Sequence, residues 1–341
     1  MKTNEQFFCD LLKTPNTQFV IPVYQRVYAW GSKQCDALWN DIVRSGSRNA
    51  PHFIGTVLVA DESSSCADAR CIDIIDGQQR TATITLILAA LRDYLAERDL
   101  SIGNVDADFI DEAFLFTRSE DPYKLHLSSL DQTTLRAVLD RSDLPEEDDL
   151  SENVVANYRQ FRQKMEAGFD AATFWRGLNQ LLVIVADLDE DDRPQAVFES
   201  LNSKGMPLTT ADLARNLLFI GIDYDEQSRL YEQYWEPVEK LYENDGDAVS
   251  LNAALRGWLA IKAPHLHISD KDDVYAAFKG YLQNEYRGSI EDLLRGLSGF
   301  LRTFAARTQA ATSSAARDAH MSWGTGGHTK GLNVDRRLFG D

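Results

Sequence analysis

Apolar and polar positions follow two different periods along this chain, and the changeover separates a mixed beginning from a helical remainder. Adjacent apolar and β-branched residues in QFVIP (18–22), FIGTVLVA (53–60) and IDII (72–75) predict buried strands. Thr3 and Gln6, spaced as a capping box, predict a short helix through Leu12. Ser32 predicts the cap of a helix with Cys35, Leu38, Trp39, Ile42 and Val43 on one face. DESSSCADA (61–69) reads as a hairpin loop, with its partner strand at 70–75. A long helix, with Leu86, Leu88, Leu91 and Leu95 in its apolar pattern, begins directly after Asp76-Gly77.

Beyond residue 100 the period is helical, with helices expected over 105–117, 131–140, 151–168 and 171–180. VIVADL (183–188) reads as a strand returning to the first sheet. A helix over 193–202, a turn at Ser203, Gly205 and Pro207, and a helix over 211–220 capped by Thr210 follow. Amphipathic helix fills most of 226–312, with Tyr231, Tyr234, Trp235, Val238 and Leu241 on one face. The Ser-, Ala-, Gly- and His-rich stretch 313–330 reads as a loop. No internal repeat is evident.

The chemistry concentrates where the strand at 72–75 turns into a helix. Gly77, Gln78, Gln79, Arg80 and Thr81 occupy the helix start. Free backbone N–H groups and the positive dipole end suit an anion there. Arg80 adds a planar fork that matches phosphate oxygens, and Asp76 sets a carboxylate beside it, where Mg²⁺ or a water can be held. The plainer alternative is an Asp-Gly turn whose arginine pairs with a surface acid. In FESLN (198–202), Glu199 and Asn202 are three residues apart and share a helix face, a pair suited to Mg²⁺ and a phosphate oxygen; Lys204 and Gly205 follow. The alternative is that both cap the following turn. In IPVYQRVYAW (21–30), Tyr24 can stack on a base while Gln25 and Arg26 read a base edge or a phosphate. Equally, Tyr24, Tyr28 and Trp30 can form an aromatic belt that only packs. Gly55 in HFIG (52–55) is expected to permit a close backbone approach, and His52 fits either a surface loop or a site.

IPVYQRVYAW, HFIGTVLV, DGQQR and FESLNSKGMPLTTADLARN, in this order over roughly residues 1–220, resemble the N-terminal domain of GmrSD-type modification-dependent restriction enzymes. That family also takes in the SspE-like phosphorothioate-sensing defence proteins. The resemblance implies an α+β fold, with a small ParB/sulfiredoxin-like mixed-sheet domain followed by a mainly helical one. It implies a nucleotide-binding domain over 1–100, a helical segment over 101–225 that returns FESLN to the site, and a helical domain over 226–341. It further implies an NTP-binding and hydrolysing module that senses modified, phosphorothioate-type double-stranded DNA and controls a C-terminal HNH nuclease domain. Under it Asp76 and Arg80 are catalytic; Gly77, Gln78, Gln79, Arg80, Thr81, Asn202 and Lys204 bind GTP or another NTP. Glu199 and Asn202 hold Mg²⁺, and Tyr24, Gln25 and Arg26 meet DNA. A non-enzymatic module that binds modified DNA, or a ParB-like nucleotide-dependent clamp, remains open, as do the base preference and a homodimeric state. Sulfiredoxin chemistry is disfavoured, because Gln78 stands where that reaction needs a reactive cysteine. His265, His267, His320 and His328 lack the setting of an HNH nuclease. The final GLNVDRRLFGD has no clear stop, so the natural protein is expected to continue.

Composition narrows these readings. A 341-residue chain with 44% hydrophobic residues is ordinary for globular domains. No signal peptide or membrane span is evident, so a cytoplasmic protein is expected. Cys9, Cys35, Cys66 and Cys71 have neither CxxC spacing nor nearby histidines, which argues against zinc and for reduced thiols. The net charge of −18 is awkward for a DNA-facing surface. Arg26, Lys33, Arg44, Arg48 and His52 make the N-terminal third locally more basic, while PEEDDL, DLDEDD and ENDGD read as solvated acidic loops.

Overall fold

A computed structural model of the chain describes residues 2–62, 69–146, 149–188, 197, 209–222, 224–243, 251–268 and 273–322. The chain divides into two units, Met1–Trp235 and Glu236–Asp341. The fold class is the expected α+β, and it rests on one six-stranded mixed sheet in the first unit.

The strands are β1 (Lys2–Phe7), β2 (Thr17–Val20), β3 (His52–Glu62), β4 (Arg70–Asp76), β5 (Leu125–His126) and β6 (Leu181–Leu188). Their order across the sheet is β1-β6-β3-β4-β2-β5. β6 runs antiparallel to β1 and parallel to β3, so the returning strand is central rather than peripheral. β3 and β4 pair antiparallel; β2 runs parallel to both β4 and β5. The expected first helix is corrected here. Residues 2–7 are strand, and only α1 (Phe8–Leu12) is helical. Thr3 and Gln6 pair with Ala186 and Val183 of β6 instead of capping.

Helices of this unit pack around α3 (Gln78–Arg98). Those packed most closely on it are α4 (Ala107–Ile110, extended by a wide turn through Leu115) and α6 (Glu152–Glu166); the unit also holds α2 (Ser32–Arg48), α5 (Ser129–Asp140), α7 (Ala171–Leu178), α8 (Thr210–Phe219) and a helix at Tyr224–Leu230 extended by a wide turn through Trp235. Most of α3 is buried, Thr81, Thr83, Thr85, Arg92 and Asp93 included, so it is a central core helix rather than an amphipathic surface one. Its buried threonines turn their hydroxyls onto the preceding turn, Thr81 to Gly77 O and Thr83 to Gln79 O, which removes the cost of burying them. α2 and α7 cross closely at Gly46 and Gly177, where a Cβ on either glycine would lie 1.9 Å from the facing carbonyl oxygen. Trp39, Phe161, Phe169 and Phe174 fill the space beneath that crossing. α8 begins one residue before the expected start. Its cap is Thr209, which exchanges bonds with Asp212.

The second unit is helical at 236–243, 251–262, 274–284 and 290–322. Trp258, Phe278, Leu294, Leu297 and Leu301 form its interior. Residues 313–322 continue the last helix, which corrects the expected loop there. AATSSAARDAHMS is rich in alanine, and alanine loses least on entering a helix. The expected helix at 193–202 and turn at 203–207 lie, but for Val197, outside the described residues. Among the described residues no helix is long and apolar enough to cross a membrane.

Candidate functional site

The site is built where β4 ends. Asp76 is the last residue of the strand, Gly77 takes φ +100°, and α3 begins at Gln78. The Gly77 amide donates to the Asp76 carboxylate, and the first helical bond runs from the Thr81 amide to Gly77 O at 3.0 Å. The amides of Gln78, Gln79 and Arg80 therefore have no carbonyl inside the helix to bond, as an anion-receiving helix start requires.

Arg80 does not stand free on an exposed helix start. Its side chain is 20% exposed, and its guanidinium donates to the carbonyls of Ile54 and Thr56 on β3. β3 shifts register against β6 between Phe53 and Thr56, and Gly55, inside that irregularity, takes φ +113°. A Cβ at Gly55 would lie 1.9 Å from Arg80 Nη1, so the close approach that glycine permits is to this guanidinium. Asp76 Oδ2 is 4.0 Å from Arg80 Nη2. Burial raises the Asp76 carboxyl above the ordinary carboxylate range, against the opposing pull of Arg80, the Gly77 amide and Arg26.

The two glutamines beside Arg80 do different work. Gln79 Oε1 accepts from the amides of Ala29 and Trp30, and its Nε2 donates to Val27 O, so it staples the 27–30 segment to the helix start. Gln78 is also buried, yet its Oε1 has no partner among the described residues. Arg26 Nε is likewise buried and without a hydrogen-bond partner among them. Both residues line one small cavity, together with Ile21, Tyr28, Ser128 and Asp131. Burial lowers the Arg26 pKa; Asp212 and Asp76 oppose that shift and Arg215 adds to it. That cavity holds about 10 Å³, room for a single water, which would complete both polar atoms.

Tyr24 and Gln25 are 2% and 3% exposed. Gln25 Nε2 donates to Ile75 O at 3.0 Å, and Tyr24 O accepts from Arg215 Nε at 2.6 Å. Their side chains are committed to the interior, as in the packing alternative for this motif. Tyr28 Oη meets Thr83 at 2.7 Å and accepts from Asn157 at 3.1 Å. The buried Asp131 carboxylate accepts from the Tyr28 amide at 2.5 Å and from Ser151 Oγ at 2.5 Å. His52 pairs with Asp41 at 3.3 Å. Glu199, Asn202 and Lys204 lie outside the described residues, and among those described no group of three His, Cys, Asp or Glu could hold a metal. Cys9 and Cys35 are free and buried, but Cys71 is disulfide-bonded, which corrects the expectation of reduced thiols throughout.

Sequence reasoning missed Asp212 and Arg215. Arg215 reaches from α8 to the Tyr24 carbonyl and pairs with Asp212 at 2.8 Å. The signal was available in TTADLAR, where Thr209-x-x-Asp212 is a capping box and Arg215 follows one turn later.

The GmrSD restriction endonuclease N-terminal domain family matches residues 8–219, well over half of the chain, and the matched segment spans α1 to α8 with all the residues just described. The chain belongs to this family, which ties it to a restriction system. No curated protein matches it.

Proposed function

We propose that the chain is the nucleotide-binding and nucleotide-hydrolysing regulatory module of a DNA-modification-dependent restriction system, acting on a nuclease domain elsewhere in that system. The observation that carries this reading is the helix start itself: the amides of Gln78, Gln79 and Arg80 have no acceptor inside α3, and the Arg80 guanidinium and the Asp76 carboxylate stand beside them, 4.0 Å apart. A triphosphate would seat its terminal oxygens on those amides, with Arg80 supplying charge. Arg80 has five N–H donors, of which the two β3 carbonyls take only part, and its anchoring fixes the direction of the rest. Asp76, held by the Gly77 amide and made more basic by burial, orients the attacking water and takes its proton. Glu199 and Asn202, with phosphate oxygens, would hold Mg²⁺; bound there, the ion would neutralise charge on the transferred group. A purely DNA-binding role has less support, because Tyr24 and Gln25 are buried and the net charge is −18. DNA contact is assigned instead to the surface around Arg26 and the exposed Val27.

The test is a panel of NTPs with Mg²⁺, with and without modified duplex. Asp76→Asn is expected to remove hydrolysis and spare binding, whereas Arg80→Ala is expected to weaken binding. Absence of hydrolysis of every NTP under both conditions would overturn the enzymatic reading.

A further inference from the structure

A cleft of about 520 Å³ opens on the helical side of the first unit, between the C-terminal halves of α3 and α5 and one face of α6. It lies at the opposite end of α3 from the turn at Gln78. Asp93 on its wall is fifteen residues further on, roughly 22 Å along the helix axis. The floor is apolar, with Val138 and Val155 both buried. Arg141, Arg159 and Arg162 line it together with Asp93 and Glu97, in a chain whose net charge is −18.

The charges are unevenly satisfied. Asp93 is buried and accepts from Arg92 Nε at 2.8 Å, Arg141 Nε at 2.6 Å and Tyr158 Oη at 2.5 Å, so its charge is spent inside the wall. Arg162 meets Glu97 at 2.5 Å and Glu166 at 3.3 Å, but these glutamates are 54% and 48% exposed and water screens them, while Arg162 is 14% exposed. Arg162 Nε has no hydrogen-bond partner among the described residues. Arg159 is exposed and has no ion pair among them.

We infer that this cleft is a second binding site, for a small phosphomonoester carrying a flat apolar group, a mononucleotide being the common form. The phosphate would lie between Arg159 and Arg162, whose forks match its oxygens, and the flat group on Val138 and Val155 beside the Tyr158 ring. An apolar floor with a few convergent cationic groups, in a volume of this size, suits such a ligand better than a bare inorganic anion.

Calorimetric titration of AMP and GMP into the full chain tests the site, with inorganic phosphate and adenosine as separate arms. Mononucleotide binding is expected to exceed that of phosphate and of adenosine alone. Arg159→Ala, at an exposed position that spares the fold, should weaken it about tenfold, the loss of one charge-assisted contact. Ser142→Trp, also at an exposed lining position, should block it. Arg80→Ala, which is expected to weaken binding at the turn, should leave it unchanged, since Arg80 belongs to the other end of α3. The inference is overturned if the wild-type chain binds no mononucleotide at millimolar concentration, if adenosine binds as tightly as AMP, or if both cleft variants bind normally. Loss in Arg80→Ala with retention in the two cleft variants would assign the binding to the turn.

Discussion

Replacing Gly55 by alanine asks how tightly the β3 irregularity and Arg80 depend on each other. The φ of +113° at Gly55 is one that L side chains avoid, and holding alanine there costs about 1–3 kcal/mol. The new Cβ would also lie 1.9 Å from Arg80 Nη1, so the guanidinium must leave its place. Leaving it forfeits the bonds to Ile54 O and Thr56 O, each worth about 0.5–1.5 kcal/mol net, or more because the donor is charged. Gly55→Ala should therefore destabilise by about 2–5 kcal/mol. Arg80→Ala should cost about 1–3 kcal/mol through the same lost bonds. In the double variant only the backbone strain is added to that loss, because no guanidinium remains to be displaced. The cycle should be sub-additive by about 1–3 kcal/mol. Urea unfolding of the four proteins, followed by circular dichroism with the slope checked for constancy, measures each corner. Additivity within about 0.5 kcal/mol would refute the claim that Gly55 is there for Arg80.

Other expectations follow from the same coordinates. Asp131→Ala removes the acceptor of the Tyr28 amide and Ser151 hydroxyl and should cost about 2–4 kcal/mol in urea unfolding, with a value under about 1 kcal/mol excluding it as the clamp of the 24–30 segment. Gln25→Ala should cost about 1–2 kcal/mol through the lost bond to Ile75 O while leaving discrimination between modified and plain duplex intact; the reverse result in an anisotropy titration would place Gln25 on the DNA. Because burial raises the Asp76 pKa, the acidic limb of the wild-type hydrolysis profile should lie above the ordinary carboxylate range. The same raised pKa means that the stability Asp76 contributes is full below its unfolded value and is lost as pH rises through its folded one, so Asp76→Asn should flatten that part of a stability–pH curve. Burial pushes the Cys9 and Cys35 thiols up to about 12 and about 11, so neither should be alkylated at neutral pH until the protein is unfolded, as peptide mass spectrometry would record.

Much of this was legible in the chain. β2, β3, β4 and β6 announce themselves by β-branched apolar runs, and the Asp76-Gly77 junction by a change of period. β1 was not legible, because KTNEQF is polar and largely exposed. Its conformation comes from pairing with β6 some 180 residues later, while Thr3 and Gln6 carry a locally valid helix signal. Within the site, Asp76, Gly77 and Arg80 could be picked out as a turn with chemistry. The duties of Gln25 and Gln79 could not, since each bonds backbone about 50 residues away in sequence and a glutamine carries no mark of its partner. Arg80 looked exposed for a related reason. Nothing in DGQQR reveals that β3 bends its carbonyls toward it.

The position of β6 has a consequence for how the molecule comes into being. The strand slots between β1 and β3, so one interior strand of the sheet arrives last, after Leu181 has been made. Until then a nascent chain carries β1 without its neighbour and β3 with one open side, two unpaired edges that invite wrong partners. A fragment ending near residue 100 would contain the whole Asp76–Arg80 turn and still lack both β5 and β6. Such a fragment should be sticky and poorly folded, and a soluble working piece of this protein has to extend at least past Leu188.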